Sequence, residues 1–245
     1  MAGSVPEVST GIFIQVRLGS VRLPSKALLP LPGGCLIQHV MRSLAAVPAD
    51  IRALLTDSRS LDALRPLAAA EGYEVCPGPD EDVLARYGNA CRQFGTTRVI
   101  RATGDNPLTS ARLARDIMAE HEDARADLSH YLGVPWGSGI EVVTAGALFE
   151  AERDSTQQDE REHITTFHYR HPERFRILEA LAPAYGAYAE GRVTVDTPAD
   201  LLEMRRLFED LYEGKPIEIE QSIAWLRQHP PARAGAGEGS GHGAG

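Results

Sequence analysis

The first half of the chain alternates between short apolar runs and amphipathic segments, and this alternation limits the fold more than any other feature. The runs predict strands at 11–16, 51–56, 73–76 and 98–103, and the intervening periodicity predicts helices at 36–47, 60–72, 80–94 and 110–122. Pro66 is expected to kink or split the second helix. A repeated strand–helix order predicts a parallel sheet with helices on both faces.

The rhythm breaks after residue 122. The aromatic and glycine-rich segment 128–144 predicts strands and a pocket wall, and 145–154 and 159–172 look helical. Residues 191–200 predict a strand ending at Asp196, followed by a helix that Asp196 or Thr197 caps and that has Pro198 in its first turn. The glycine- and alanine-rich segment 231–245 predicts a disordered tail, which leaves one domain over 10–230.

Composition excludes several classes of protein. The net charge of −9 over 245 residues argues against a general nucleic-acid surface. No apolar run approaches the ~20 residues of a membrane span. The three cysteines are isolated, which disfavours a disulfide framework or a zinc site. The first residues lack the pattern of a signal peptide, so we expect a cytoplasmic protein.

A basic loop follows the first predicted strand. Its residues of interest are Arg17, Gly19, Ser20, Arg22 and Lys26, and only two of the 25 basic residues in the chain are lysines. Cations, a glycine and exposed backbone N–H groups suit a polyphosphate, although a solvated surface loop remains open on charge alone. The loop is neither GxxxxGK[ST] nor GxGxxG, which disfavours a Walker-type ATPase and a dinucleotide oxidoreductase.

Two carboxylates follow later predicted strands. Asp105 lies in "GDNP" after 98–103, and Asp196 ends "RVTV". Ligands of open α/β sheets bind beyond the carboxyl ends of strands, where one or two carboxylates plus phosphate oxygens typically hold Mg²⁺. A turn residue and a helix cap are the structural alternatives, but the joint placement with the basic loop favours a functional role. Trp136 fits either the core or a pocket wall.

The histidines do not form a convincing metal site. His163 and His168 would point about 140° apart on a helix, which is poor geometry for zinc, and no HExxH motif is present. We interpret most of the histidines as surface or packing residues. No GxSxG motif or plausible Cys–His pair suggests nucleophilic catalysis.

Several motifs together resemble a known family. The stretch "QVRLGSVRLPSKALLPL" resembles the opening signature of cytidylyltransferases of the spore-coat polysaccharide type, which are relatives of the CMP-sialic acid and CMP-3-deoxy-octulosonate synthetases. The stretches "RATGDNPL" and "VTVDTPADL" resemble its second and third motifs, and "EDVLARY", "REHIT" and "HPERF" are similar to further family segments. The matches span roughly residues 12 to 206 in the family's order.

The resemblance implies a single Rossmann-like, GT-A-like nucleotidyltransferase domain with a mainly parallel sheet and an inserted dimerisation arm at about 128–190. It implies Mg²⁺-dependent transfer of CMP from CTP to a small acidic acceptor, with pyrophosphate released, and a homodimer. The residues that would grip the triphosphate are Arg17, Gly19, Ser20, Arg22 and Lys26. Thr103 would contact the cytidine, Asp105 and Asp196 would hold Mg²⁺, and Asp82 would help to place the nucleoside.

Departures from the family pattern bear on the acceptor. Ser25 replaces a common glycine, and "PWGSGIEVV" has Gly139 where many relatives show aspartate. That form resembles relatives that handle small phosphonates such as 2-aminoethylphosphonate, whose ionised oxygen needs no general base. Glu141 or the acids at 159–162 would then meet an ammonium group.

Three other functions remain open. They are a CMP-sugar-acid synthetase, a nucleotide-sugar glycosyltransferase using "DED" at 80–82, and a nucleotide-binding module without catalysis. The last is disfavoured because Lys26, Asp105 and Asp196 are all intact.

Overall fold

The computed structural model describes residues 8–230, which contain one large sheet and a short separate hairpin. The strands are β1 Thr10–Gln15, β2 Pro30–Leu31, β3 Gly34–Cys35, β4 Ile51–Asp57, β5 Glu74–Gly78, β6 Arg98–Thr103, β7 Leu128–Leu132, β8 Glu141–Thr144 and β9 Ile177–Leu181. The large sheet has the order β5-β4-β1-β6-β8-β7-β9, and β2 and β3 form the hairpin. The predicted tail at 231–245 lies outside the described residues.

The helices cover both faces of the sheet. They are α1 Leu36–Leu44, α2 Leu61–Ala70, α3 Val83–Phe94, α4 Ala111–Ala124, α5 Ala145–Asp154, α6 Gln158–Glu162, α7 Thr166–Arg170, α8 Pro198–Leu211 and α9 Ile219–Gln228. One buried apolar cluster contains residues of α1, α2 and α4, and a second, on the opposite face of β1, contains residues of α3, α5 and α7. No helix among residues 8–230 is both long and apolar enough to cross a membrane.

The pairing of the strands confirms the predicted α/β class. β1 lies between β4 and β6, and these pairs are parallel, as is β4 with β5. β8 pairs antiparallel with β6 and β7, while β7 and β9 are parallel. The sheet is therefore mostly parallel, and three strands of segment 128–190 extend it. The exact limits of the arm and the homodimer stay predictions.

The strand predicted at "RVTV" is wrong. Residues 192–195 join no sheet, and an isolated bridge connects Arg192 with Trp136. The sheet position beside β6 is already taken by β8. The segment instead bonds to loops, with the N–H of Val193 donating to the carbonyl of Trp136 and that of Val195 to the carbonyl of Asp105. The second of these bonds brings residue 196 beside Asp105.

The structure decides two local predictions, one on Pro66 and one on the residue that caps α8. Pro66 lies inside α2, which the structure does not split. Thr197, rather than Asp196, caps α8: its hydroxyl accepts from the N–H of Asp200, whose carboxylate accepts from the N–H of Thr197 in return. The carboxylate of Asp196 is thus free to face away from the helix.

Candidate active site

A cavity of about 390 Å³ opens at the carboxyl ends of β1 and β6. This is the edge where a parallel sheet is expected to bind its ligands. Most of the residues predicted to bind a nucleotide line it. The lining residues are Gln15, Val16, Arg17, Gly19, Ser20, Val21, Arg22, Lys26, Ala27, Val83, Arg86, Thr103, Gly104, Asp105, Glu162, His163 and Asp196.

The basic loop is folded back by backbone bonds. The N–H of Ser25 donates to the carbonyl of Leu18 at 3.0 Å, and the N–H of Leu18 donates to the hydroxyl of Ser60 at 3.0 Å. Ser25 adopts the left-handed region, with φ at 53°. Glycine takes this conformation with the least strain, which explains why glycine is common at this position in the family pattern. The turn delivers Lys26 to the cavity.

Lys26 joins the two predicted metal ligands. Its Nζ donates to Oδ2 of Asp105 at 2.6 Å and to Oδ1 of Asp196 at 2.8 Å. Burial opposes the charge of Lys26, but the two carboxylates outweigh this effect and raise the pKa of Lys26. These three residues, called here the cleft cluster, lie far apart in sequence and meet at one point.

The environment of Asp196 is strongly cationic. Besides Lys26, its carboxylate has Nη2 of Arg192 at 2.7 Å and Nη2 of Arg22 at 3.6 Å. Burial favours the neutral acid, but the hydrogen bond from Lys26 and the neighbouring charges lower the pKa of Asp196. Asp196 is therefore held as an anion, which is the form that binds metal cations. Sequence reasoning missed Arg192.

Close packing fixes the position of Asp105. The preceding residue is Gly104, where an added Cβ would lie 2.8 Å from the side chain of Val16. A larger residue would push this turn away from β1 and move the carboxylate with it. Gly104 therefore serves the site by allowing a close approach of two strand ends.

The remaining predicted residues fall into two groups. Gly19, Ser20, Arg22 and Thr103 line the cavity, as does Arg17, whose Nη2 lies 3.2 Å from the carboxylate of Glu162. Asp82 does not line the cavity. Its carboxylate accepts from the N–H of Ala85 at 2.8 Å and pairs with Arg161 at 3.3 Å, which makes it the cap of α3.

Four further residues outside the predicted nucleotide and metal sites line the cavity. They are Gln15, Arg86, Glu162 and His163. Arg86 is 3% exposed and donates to the carbonyls of Pro79 and Asp80, with no carboxylate partner among residues 8–230. The segment "REHIT" was a signal for Glu162 and His163, because it resembles the family. Gln15 and Arg86 lie in family-like motifs whose other residues drew attention.

A second charged group lies beneath the cavity. Arg101 donates from Nη1 to Oε2 of Glu141 at 3.0 Å, and both side chains are largely buried. Thr165 and Tyr169 donate to the same carboxylate, and Arg101 also donates to Gln15. Arg101, Glu141, Thr165 and Tyr169 are called here the sealed cluster. Because Glu141 is buried and fully engaged, it is not available to meet an ammonium group of an acceptor.

The acids at 159–162 are also mostly engaged elsewhere. Asp159 and Glu160 pair with Arg170, and only Glu162 of this group lines the cavity. Trp136 is 48% exposed and does not line the cavity, so the segment around it supports residues 191–193 rather than forming a wall.

The cleft cluster fits a divalent cation. No group of three or more His, Cys, Asp and Glu side chains within 8–230 is arranged to hold a metal by itself. Asp105 and Asp196 nevertheless share one ammonium group, so both carboxylates are close enough to bind a single cation. Mg²⁺ commonly takes one or two carboxylates and completes its shell with water and phosphate oxygens.

Comparison with known proteins identifies relatives of this chain. Residues 12–223 match the family model described as cytidylyltransferase. The chain is 30% identical over 227 residues to the spore coat polysaccharide biosynthesis protein SpsF of Bacillus subtilis, covering 90% of this chain and 95% of that protein. The fold and these matches define a nucleotidyltransferase enzyme. The chain belongs to the cytidylyltransferase family.

Solved structures support the fold. A cytidylyltransferase from Leptospira borgpetersenii superposes with a TM-score of 0.83 at 22% identity, over 91% of this chain and 96% of that chain. A CMP:2-keto-3-deoxy-manno-octonic acid synthetase complexed with CTP superposes with a TM-score of 0.64 at 19% identity, over 82% and 99%. The predicted single nucleotidyltransferase domain is thus confirmed.

Proposed function

We propose that this enzyme transfers CMP from CTP to a small acidic acceptor, with Mg²⁺ as its metal and pyrophosphate as the second product. The observation that carries the proposal is the cleft cluster, in which one lysine joins two carboxylates at the wall of a cavity of about 390 Å³. Membership of the cytidylyltransferase family supports CTP as the donor. Bound Mg²⁺ would supply charge neutralisation on the phosphates, with Asp105 and Asp196 as its protein ligands.

The roles of the chain's own residues follow from their charges. Transfer of a phosphoryl-type group depends mainly on positioning and on neutralising charge. An acceptor oxygen attacks the α-phosphorus of CTP, and the bond from that phosphorus to the bridging oxygen of the β-phosphate breaks. Lys26, Arg22 and Arg17 line the cavity together with Gly19 and Ser20, and these five residues would grip the triphosphate. Thr103 would contact the cytidine.

Lys26 and Arg17 already have carboxylate partners with which a bound triphosphate would compete. Lys26 is paired with the carboxylates of the cleft cluster, and Arg17 with Glu162. A triphosphate offers both cations a denser negative charge than one carboxylate does. Each cation can turn towards it without leaving the cavity wall, so binding reorganises existing ion pairs instead of creating charge in a dry site.

A small phosphonate such as 2-aminoethylphosphonate is the preferred acceptor, and a sugar acid of the sialic acid or 3-deoxy-octulosonate type is the alternative. An ionised phosphonate attacks without a general base. Of the acids first considered for its ammonium group, only Glu162 remains at the cavity. Glu162 is half exposed, and within residues 8–230 it pairs only with Arg17, so it can be released for this purpose.

A pyrophosphate-release assay tests the proposal. Each of CTP, UTP, ATP and GTP is incubated with Mg²⁺ and a panel of phosphonates, sugar acids and phosphosugars. We expect release with CTP and an acidic acceptor. Release with UTP or ATP but not with CTP would show that the proposal is wrong, as would inertness towards every combination. Release with a sugar acid but no phosphonate would select the alternative acceptor.

A further inference from the structure

The side chain of Gln15 is held in one orientation by the sealed cluster. Gln15 ends β1 and lines the cavity. Its Oε1 accepts from Nε and from Nη2 of Arg101, both at 3.3 Å, and the hydroxyl of Tyr87 lies 3.4 Å away. A guanidinium group has donors and no acceptor, so the amide atom that faces it must be the oxygen. Arg101 thereby excludes the flipped amide.

The opposite side of the amide is then a fixed donor. Nε2 of Gln15 has no acceptor among residues 8–230. This nitrogen is not one of the buried side-chain atoms without a partner, so it remains accessible at the cavity. Its partner on the next strand is Thr103, which pairs with it in register and also lines the cavity. The hydroxyl of Thr103 accepts from Nδ2 of Asn106 at 2.7 Å, so its own hydrogen remains to be donated. Two neighbouring strand ends thus present donors.

This arrangement gives a reason for the buried ion pair of Arg101 and Glu141. A buried ion pair rarely adds stability over apolar packing, because both charges lose their hydration. Thr165 and Tyr169 donate hydrogen bonds to Glu141. Arg101 donates two further hydrogen bonds to Gln15. Setting the direction of one amide at the cavity is a role that apolar residues could not fill.

We propose that Gln15 donates a hydrogen bond to an atom of the reactants that can only accept, and that Arg101 is its positioning residue. The inference rests on the proposed function. Such atoms are N3 of cytosine and the oxyanion of an acidic acceptor. Uracil differs because its N3 carries a hydrogen, which would face the N–H of Gln15. The shared chemistry is an acceptor-only atom, and its two possible sources are separated by experiment.

The sharpest test is Gln15→Glu, which keeps the oxygen for Arg101 and replaces the donating NH₂ with a second acceptor. Dissociation constants for CTP and UTP are measured by calorimetry without acceptor, and KM is measured for the acceptor that the wild-type enzyme uses, with 2-aminoethylphosphonate as the first probe. If cytosine is the source, the ratio of UTP to CTP dissociation constants falls about tenfold. If the acceptor is the source, its KM rises about tenfold while nucleotide binding is unchanged.

Two further variants serve as controls for the added charge and for a nearby hydroxyl group. Gln15→Met removes the donor without adding charge and should cause a loss of the same kind, which covers the case in which Gln15→Glu fails to fold. Tyr87→Phe removes one neighbour of Oε1 and keeps both donors of Arg101, so both readouts should stay within about twofold of wild type.

The positioning role of Arg101 has its own readout. Arg101→Lys cannot donate twice to one oxygen and should lower the same ratio or raise the same KM as Gln15→Glu. A folded Gln15→Glu enzyme with both readouts within twofold of wild type would overturn the inference. A wild-type enzyme that never releases pyrophosphate from CTP would instead overturn the proposed function.

Discussion

The cleft cluster and the sealed cluster are both groups of opposite charges at the ends of β1 and β6, yet they differ in what their charges can reach. The side chains of both are largely covered, with Lys26 at 15% and Arg101 at 12% exposed. Exposure alone therefore does not separate them. The difference is that Lys26 lines the cavity and Arg101 does not.

A charge that binds a ligand differs from a charge that only positions another side chain in whether a ligand can replace its partner. Lys26, Arg22 and Arg17 line the cavity, so a phosphate that enters it can replace their carboxylate partners. Arg101 and Glu141 do not line the cavity, and their side chains are only 12% and 11% exposed, so a ligand in the cavity does not replace either partner. We therefore expect changes in the first cluster to lower turnover. Loss of a counter-charge in the second cluster should lower stability, and Arg101 should influence ligand binding only through Gln15.

The largest expected effect is on turnover by the cleft cluster. Lys26→Ala and Asp105→Asn should each lower kcat by about 10³, since they remove charge stabilisation at the reacting phosphates. Lys215→Ala is the matched control, because Lys215 is the only other lysine and is exposed. Pyrophosphate release and thermal melting are measured together. The melting temperature of Lys26→Ala should remain close to that of wild type, because Arg22 and Arg192 still compensate Asp196.

One result would contradict the catalytic role of the cleft cluster. If Lys26→Ala or Asp105→Asn lost much of its stability and kept full specific activity in the folded fraction, the cleft cluster would be structural. The assignment of binding and positioning charges would then have to be reversed.

The sealed cluster should show the opposite behaviour. Glu141→Gln leaves Arg101 buried without its counter-charge, which should lower the free energy of unfolding by about 3 kcal/mol and the melting temperature by about 6–12 °C. Glu162→Gln is the comparison within the cavity. It breaks an ion pair in which Arg17 and Glu162 are 50% and 45% exposed, so the loss should stay below about 1 kcal/mol. Urea titration of both variants measures the difference, and equal losses would contradict it.

The sequence allowed the cleft cluster to be predicted but not the sealed one. Lys26, Asp105 and Asp196 were found because each follows a predicted strand, and parallel strands place their carboxyl ends at one edge. The strand before Asp196 was wrong, yet the position of Asp196 held, because the backbone bond from Val195 to Asp105 replaces a sheet bond. The α/β class followed from the regular first half for the same reason.

The sealed cluster depends on contacts that no local pattern specifies. Arg101 lies within a predicted strand, and its charge is compensated by Glu141 only because β8 pairs antiparallel with β6 in one register. Hydrophobic periodicity assigns a strand to one face of a sheet but does not choose its neighbour or register. Glu141 was consequently assigned to the acceptor, and Gln15 received no role. Asp82 is a similar case, since its motif pointed to the nucleoside and its position made it a helix cap.

The smallest expected effect is the loss of stability in acid, which should come from buried histidines before it comes from the cleft cluster. Burial lowers the pKa of His39 and of His121 to about 4 each, whereas an unfolded histidine titrates near 6.5. The unfolded chain therefore binds protons first as the pH falls. The stability contributed by each neutral histidine is fully present above about pH 6.5 and is lost towards pH 4, at no more than about 1.4 kcal/mol per pH unit for each group.

The cleft should respond to acid later than these histidines. The pKa of Asp196 is lowered, so its contribution is lost only at a pH below the usual range of an aspartate. Urea midpoints measured between pH 7 and pH 4.5 should fall for the wild-type protein, and they should fall less steeply for His39→Gln, which cannot take up the proton. The same slope in both proteins would mean that His39 is protonated in the folded state or accessible to water. In that case the acid sensitivity in this range would have to come from His121 or from groups other than His39.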